Sequence, residues 1–155
     1  SNFYGLKTTG LRFFTVYGPW GRTDMAPYIF VKKISEGKPI TVFNNGNMER
    51  DFTYVDDIVD GIFLVIKDDK INFDYSIYNI GNSSPVNLNT FIQIIERTVE
   101  IKAVIKYQKL REGDVKKTYA DTSLFSFDYS YKPNNSLESG IKKFVKWYKE
   151  DYTTQ

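Results

Sequence analysis

A strand-length run at 50–54, Arg50-Asp51-Phe52-Thr53-Tyr54, leads without a break into a stretch whose apolar residues recur at helical spacing. Val55, Ile58, Val59, Ile62, Phe63 and Ile66 fall at i, i+3, i+4 and i+7, which predicts a helix over 55–67 with those residues on one buried face. Asp56 and Asp57 stand at its amino-terminal end, where the helix dipole favours carboxylates. Strands and helices alternate along the chain, though not in a clean βαβ series, and an α/β protein is expected.

The remaining segments fit that class. Residues 10–15 (GLRFFT) read as a short buried strand, and 16–25, with Gly18, Pro19 and Gly21, as a loop. A helix is expected over 26–36, ended by Gly37 and Lys38-Pro39. Residues 40–43 and 50–54 flank Asn44-Asn45-Gly46-Asn47 and read as a hairpin-like pair. A strand over 76–80 is closed by Gly81. A second amphipathic helix over 87–99 carries Phe91, Ile94 and Ile95 on its core side, and 101–110 reads as extended. Ser136 is placed to cap a last helix over 136–151, with Ile141, Phe144, Val145 and Tyr148 sharing a face. No internal repeat, low-complexity segment or linker divides the chain, so 1–155 is expected to be one domain. The chain opens at Ser1 without an initiator Met, inside what reads as the end of another element, and a fragment is expected.

Composition removes several kinds of chemistry. There is no cysteine and no histidine, which excludes disulfides, thiolate catalysis, imidazole metal ligation and Ser-His-Asp machinery. Net charge is +2, with the basic residues dispersed, so no concentrated face for nucleic acid is visible. No apolar run approaches membrane-spanning length and the first residues lack a signal-peptide core, so a cytoplasmic protein without membrane contact is expected. Aromatic residues reach 17%, a content that suits a packed α/β core or a pocket for flat ligands.

Arginines carry the chemical signal. Arg22 lies in a glycine-rich loop just after a strand, where open α/β sheets bind ligands. Arg50 opens a strand, and Arg111 sits in Leu110-Arg111-Glu112-Gly113-Asp114. A guanidinium fork matches phosphate or carboxylate in a bidentate way, although each arginine taken alone also reads as a solvated surface side chain. Asp51, Asp56, Asp57 and Asp60 look at first like a metal cluster, but Asp56 and Asp57 are better explained by the helix end and Asp60 by its outer face. Tyr28-Ile29-Phe30-Val31-Lys32 matches Tyr-x3-Lys in letters only. A catalytic dyad of that kind precedes the strand resembling LRFFT, and here it follows, so Tyr28 reads as packing and Lys32 as surface. No glycine-rich dinucleotide fingerprint follows any strand.

Taken in order, the motifs resemble the carboxy-terminal portion of the extended short-chain dehydrogenase/reductase nucleotide-sugar epimerases, most of all the UDP-glucuronate 4-epimerases. The residues that carry the resemblance are 11–22 (LRFFTVYGPWGR) with Asp24-Met25, Gly37-Lys38-Pro39-Ile40, Val42-Phe43-Asn44, 50–58 (RDFTYVDDI), Tyr78-Asn79-Ile80-Gly81, 111–114 (REGD) and Tyr119-Ala120-Asp121. The resemblance implies the substrate-binding part of a Rossmann-type fold with the last strands of its parallel sheet, near 11–15 and 76–80, and without the amino-terminal NAD-binding half. It implies that Thr15 and Arg22 face the sugar and its C6 carboxylate, that Val42 and Phe43 cover the uracil, and that Arg50 and Arg111 clamp the pyrophosphate. Asp114 would accept from the ribose hydroxyls, and Phe13, Val16 and Tyr17 would border the nicotinamide. The cofactor implied is NAD, held mainly by the missing half; the partner is a UDP-sugar, and the full-length enzyme would be a homodimer serving polysaccharide biosynthesis. The chain departs from the family in lacking the catalytic Tyr-x3-Lys, so it is expected to be inactive alone. Thr118 stands where relatives acting on other sugars often carry Tyr. A related UDP-glucuronate decarboxylase or sugar-nucleotide dehydratase, or a non-catalytic nucleotide-binding remnant, are the alternative readings.

Overall fold

In a computed structural model that describes residues 1–68 and 75–152, the chain runs through seven strands and five α-helices. Strand β1 (Thr8–Phe13) pairs in parallel with β5 (Tyr75–Ile80), placing Leu11 beside Tyr78 and Phe13 beside Ile80. At Phe14 the chain changes sheets. The Phe14 carbonyl accepts the Val16 N–H at 2.9 Å, a tight turn that hands the backbone to β2 (Thr15–Tyr17), parallel to β4 (Glu49–Tyr54). Strand β4 in turn pairs antiparallel with β6 (Pro85–Asn87). A third pair joins β3 (Ile40–Phe43) to β7 (Ile105–Gln108), also in parallel.

The expected hairpin is therefore not formed: β3 and β4 lie in different sheets. The turn chemistry of Asn44-Asn45-Gly46 is used all the same. All three residues take positive φ (49°, 52° and 74°), a conformation that glycine and asparagine adopt at least cost, and together they redirect the chain between sheets. The strand expected over 10–15 is divided at Phe14, and its first part is not buried. Only Thr9 and Leu11 of β1 are half-covered, and Phe13 is 46% exposed. Parallel strands are ordinarily covered on both faces, whereas among the described residues β1 is paired with β5 alone.

Helix α1 (Ala26–Ser35) takes Pro27 in its first turn and buries Tyr28, Phe30, Val31 and Ile34. Helices α3 (Leu88–Val99) and α5 (Leu137–Trp147) pack beside it, with Asn87 and Ser136 accepting from Asn89 N–H at 2.9 Å and Ser139 N–H at 3.2 Å as N-caps. Their core is aromatic: Phe52 stacks on Phe91 with ring centres 4.2 Å apart, and Tyr28 packs on Phe144 and Tyr148. A single turn of wider helix, 148–152, follows α5.

Helix α2 (Val55–Ile66) forms where its periodicity predicts, but it is turned differently. Its buried stripe is Ile58, Gly61 and Val65 with the carboxylate of Asp57, while Val59, Phe63 and Ile66 are 41%, 51% and 69% exposed. Two adjacent apolar stripes satisfy the same spacing, and Gly61 decides between them. A Cβ there would stand 3.2 Å from both Ile80 and Tyr131, so the glycine lets α2 lie close on β5. Asp57 is more than a helix-end charge: it is buried and accepts from Asn134 N–H at 2.8 Å and Asn135 Nδ2 at 3.0 Å, tying α2 to the segment before α5. Helix α4 (Ser123–Tyr129), which closes the second, smaller core around Phe125, was not expected from sequence, and neither was β6.

Buried tyrosines give this core a pH signature. Burial, with help from the nearby Asp56 and Asp57, pushes the Tyr54 hydroxyl up to about 12, and burial raises Tyr17 as well. Neutral phenols are then favoured in the folded state, so the unfolded chain ionises first. Stability is expected to be complete below pH 10 and to fall as pH rises beyond it, seen as a progressive drop in melting temperature. A flat melting temperature from pH 9 to 11.5 would contradict this.

Candidate ligand cleft

The site assembles from three separated parts of the chain. Thr15 opens β2 immediately after the change of sheet, at the carboxyl side of β1. The loop that follows depends on Gly18, whose φ is 142° and whose Cβ would collide with Val55 at 2.7 Å. It leads into α1, whose Ala26, Ile29, Phe30 and Lys33 line one long wall. Strand β3 supplies the second part. Its alternation sends Ile40 and Val42 fully into the core and leaves Thr41 and Phe43 on the open side. The third part is the loop between β7 and residues 116–118. That segment is zipped to the start of β4: Glu49 N–H donates to the Lys116 carbonyl at 2.8 Å, and Thr118 N–H to the Glu49 carbonyl at 3.2 Å. Arg50 Nη1 reinforces the seam by donating to the carbonyls of Glu49 at 2.8 Å and Lys116 at 3.3 Å. The loop is thereby drawn over β3, and the Arg111 guanidinium lies 4.2 Å above the Phe43 ring.

These parts enclose a cleft of about 420 Å³, within the range of small-molecule sites. Thr15, Phe43, Arg50, Arg111 and Asp114 all line it, together with Thr41, Met48, Phe52 and Lys33. The other sequence-derived positions lie elsewhere. Arg22 is exposed and outside the lining, its Nη2 donating to Asp24 at 2.7 Å; that bond holds the Asp24 carboxyl below the usual carboxylate range and raises Arg22. Val42 can offer only its backbone, since its side chain is in the core. Phe13 and Val16 are partly accessible, but Tyr17 is 3% exposed, packed on Phe52, Tyr54 and Phe91, with its hydroxyl donating to the Leu137 carbonyl. The Tyr17 ring thus serves the core.

Sequence reasoning missed Thr41 and Lys33. Both were within reach of it: Thr41 is two residues from Phe43 on a strand, and Lys33 is on the helical face of Ala26 and Ile29. Among the described residues no group of three or more carboxylates stands where a metal could be held, and no helix is long and apolar enough to cross a membrane. Asp51, first grouped with possible ligands, is wholly buried and accepts from Asn82 N–H at 3.0 Å and Ala120 N–H at 2.9 Å.

Parallel strands flanked by helices, with a cleft at the carboxyl side of β1 and guanidinium groups on its walls, place the chain in the Rossmann-type α/β class. The chain belongs to the NAD dependent epimerase/dehydratase family, whose model matches residues 1–81. It is 51% identical over 150 residues to an uncharacterized protein of Methanocaldococcus jannaschii, covering 97% of this chain and 45% of that protein. It is 46% identical over 167 residues to UDP-glucuronate 4-epimerase 5 of Arabidopsis thaliana, covering 99% of this chain and 38% of that one. Among solved structures, the UDP-glucuronic acid 4-epimerase of Bacillus cereus in complex with UDP-glucuronic acid and NAD superposes with a TM-score of 0.84. The identity is 34%, over 90% of this chain and 44% of that one. This chain therefore spans about half the length, or less, of the relatives it matches.

Proposed function

We propose that this chain is the UDP-sugar-binding half of a UDP-glucuronate 4-epimerase, which interconverts UDP-glucuronate and UDP-galacturonate. The observation that carries the reading is the convergence of Thr15, Phe43, Arg50, Arg111 and Asp114 on one cleft from distant parts of the chain. Phe43 offers a flat face for uracil, already covered on one side by Arg111. Arg50 and Arg111 supply bidentate donors for the pyrophosphate, and Asp114 accepts from the ribose hydroxyls. At the other end, the Thr15 hydroxyl faces the sugar. Arg22 turns to the sugar carboxylate by exchanging it for Asp24; both partners are exposed, so little stabilisation is given up in the exchange.

NAD, when bound, supplies the redox chemistry of a 4-epimerase, taking a hydride from sugar C4 and returning it to the opposite face. The residues present fit only the margin of such a cofactor: Phe13 at the end of β1 and Val16 in β2, both partly accessible, would border its nicotinamide. For the ring to be re-presented between the two hydride transfers, the nucleotide must be held firmly and the sugar lightly. Arginines around the diphosphate and few side chains around the ring meet that requirement. Without a Tyr-x3-Lys pair in its catalytic context, this chain alone turns over no substrate. The cytoplasmic location and the homodimer expected from sequence belong to the same reading, as properties of the longer protein.

The test is calorimetric titration of this chain with UDP, repeated on Arg50→Ala. Saturable 1:1 binding that the substitution weakens by tenfold or more supports the reading. Absence of binding by the folded chain, or measurable epimerisation by it, would contradict the corresponding part of the proposal.

A further inference from the structure

Lys33 brings a cation to the cleft that the roles above do not use. It lies in the last turn of α1 and lines the cleft together with Thr41, Phe43, Arg50 and Arg111. Its side chain is half-buried, yet among the described residues it takes part in no ion pair. Three acids stand around the cleft, and none pairs with Lys33: Asp114 lines it from the loop that carries Arg111, and the other two are engaged elsewhere. Asp24 is held by Arg22 at 2.7 Å, and Glu36 by Lys38 at 2.8 Å and by the Tyr148 hydroxyl at 3.2 Å. An ammonium lining a cleft without an ion-pair partner among the described residues is available to an acceptor on a ligand.

Its place along the cleft narrows what the acceptor is. The Lys33 carbonyl receives the Lys38 N–H at 2.7 Å, so the end of α1 folds directly back into β3, which starts at Ile40. Lys33 thus marks the Thr41–Phe43 end, while Asp24 and Met25 mark the other end near Thr15. Helix α1 separates the two ends by roughly 13 Å, on the 1.5 Å rise of a helix, enough to set a base apart from the sugar of one extended nucleotide-sugar.

We propose that Lys33 reads the base of the bound nucleotide, donating from its ammonium to the O4 carbonyl of uracil. This rests on the assignment of a UDP-sugar to the cleft. An ammonium has donors and no acceptor. Uracil presents a carbonyl oxygen at position 4, whereas cytosine presents an amino group there, itself a donor. Lys33 therefore favours a uridine over a cytidine diphosphate and makes the base end of the cleft selective. A site that hydrogen-bonds one group discriminates sharply against an analogue that lacks the matching acceptor.

The experiment is calorimetric titration of this chain and of Lys33→Met with UDP and with CDP at one ionic strength. The expected result is that wild type prefers UDP, and that Lys33→Met weakens UDP by about tenfold while leaving CDP within about twofold, so that the preference collapses. Equal losses for the two nucleotides would place the ammonium on the phosphates they share and overturn the proposal, as would unchanged binding of both. UDP binding by wild type that survives the substitution unaltered sinks only the role of Lys33. Failure of wild type to bind UDP sinks the nucleotide assignment together with it.

Discussion

Substituting Arg111 with alanine is expected to weaken UDP binding by about a hundredfold while lowering the melting temperature of the free chain by only about 1–4 °C. The binding loss follows from what the guanidinium does in two directions. Toward the protein it covers Phe43, a contact worth about 0.5–1 kcal/mol at an exposed site. Toward the ligand its fork makes charge-assisted bonds to phosphate, each worth about 1.5–3 kcal/mol. The free chain loses little because Arg111 is exposed and its loop is anchored by backbone bonds at 116–118 rather than by this side chain. Lys142→Ala, on the exposed face of α5, serves as the control for a general change in charge. UDP affinity of Arg111→Ala within twofold of wild type would remove Arg111 from the binding machinery.

The largest loss of stability is expected at Asp51. This carboxylate is wholly buried and joins three passages of chain: its own strand β4, the turn after β5 through Asn82 N–H, and the segment at Ala120. Packing is tight there, since a Cβ on Gly81 would strike the Ala120 side chain. Asp51→Ala removes both acceptors and leaves the buried Ala120 N–H and the part-buried Asn82 N–H unpaired, each costing about 1–3 kcal/mol, so a loss of about 4 kcal/mol is expected in urea denaturation. Against a typical total of about 5–15 kcal/mol, that approaches unfolding. Asp51→Asn keeps one acceptor oxygen and should lose about half as much. Asp56→Ala, which removes an exposed ion pair with Lys143 at 3.4 Å and a charge in the first turn of α2, is expected to stay within about 1 kcal/mol. If Asp51→Ala cost no more than Asp56→Ala, the carboxylate would not be the joint described.

Particular residues explain what sequence could and could not tell. The helices over Ala26–Ser35, Leu88–Val99 and Leu137–Trp147 were legible because each carries one dominant apolar stripe and a local start signal such as Asn87 or Ser136. Helix α2 was legible in extent but not in rotation, because Val59, Phe63 and Ile66 are as apolar as the residues it buries. Strand pairing was the weaker part. The turn residues at 44–46 predicted a change of direction correctly, yet the partner of β3 is β7, far along the chain, and no local pattern encodes that choice. Most of the cleft was legible through a family resemblance that followed the motifs in order. Arg22 was placed by its loop and found paired with Asp24, and Tyr17 was placed by its neighbours and found in the core. Lys33 carries no signal of its own in the sequence, since a lysine in the last turn of a helix also reads as a partner of the helix dipole.

The seam between Glu49 and residues 116–118 separates two kinds of constraint. Residues 109–115 leave β7 at one fixed end and enter that seam at the other, so their ends are held while their interior touches little besides the cleft. Under the nucleotide assignment proposed above, changes of length or sequence within this span are expected to alter the contacts offered to the diphosphate and ribose without disturbing the aromatic core beneath. On that reading the loop's share of recognition is separable from the frame that carries it, and exchange of this one short span would change the first without the second.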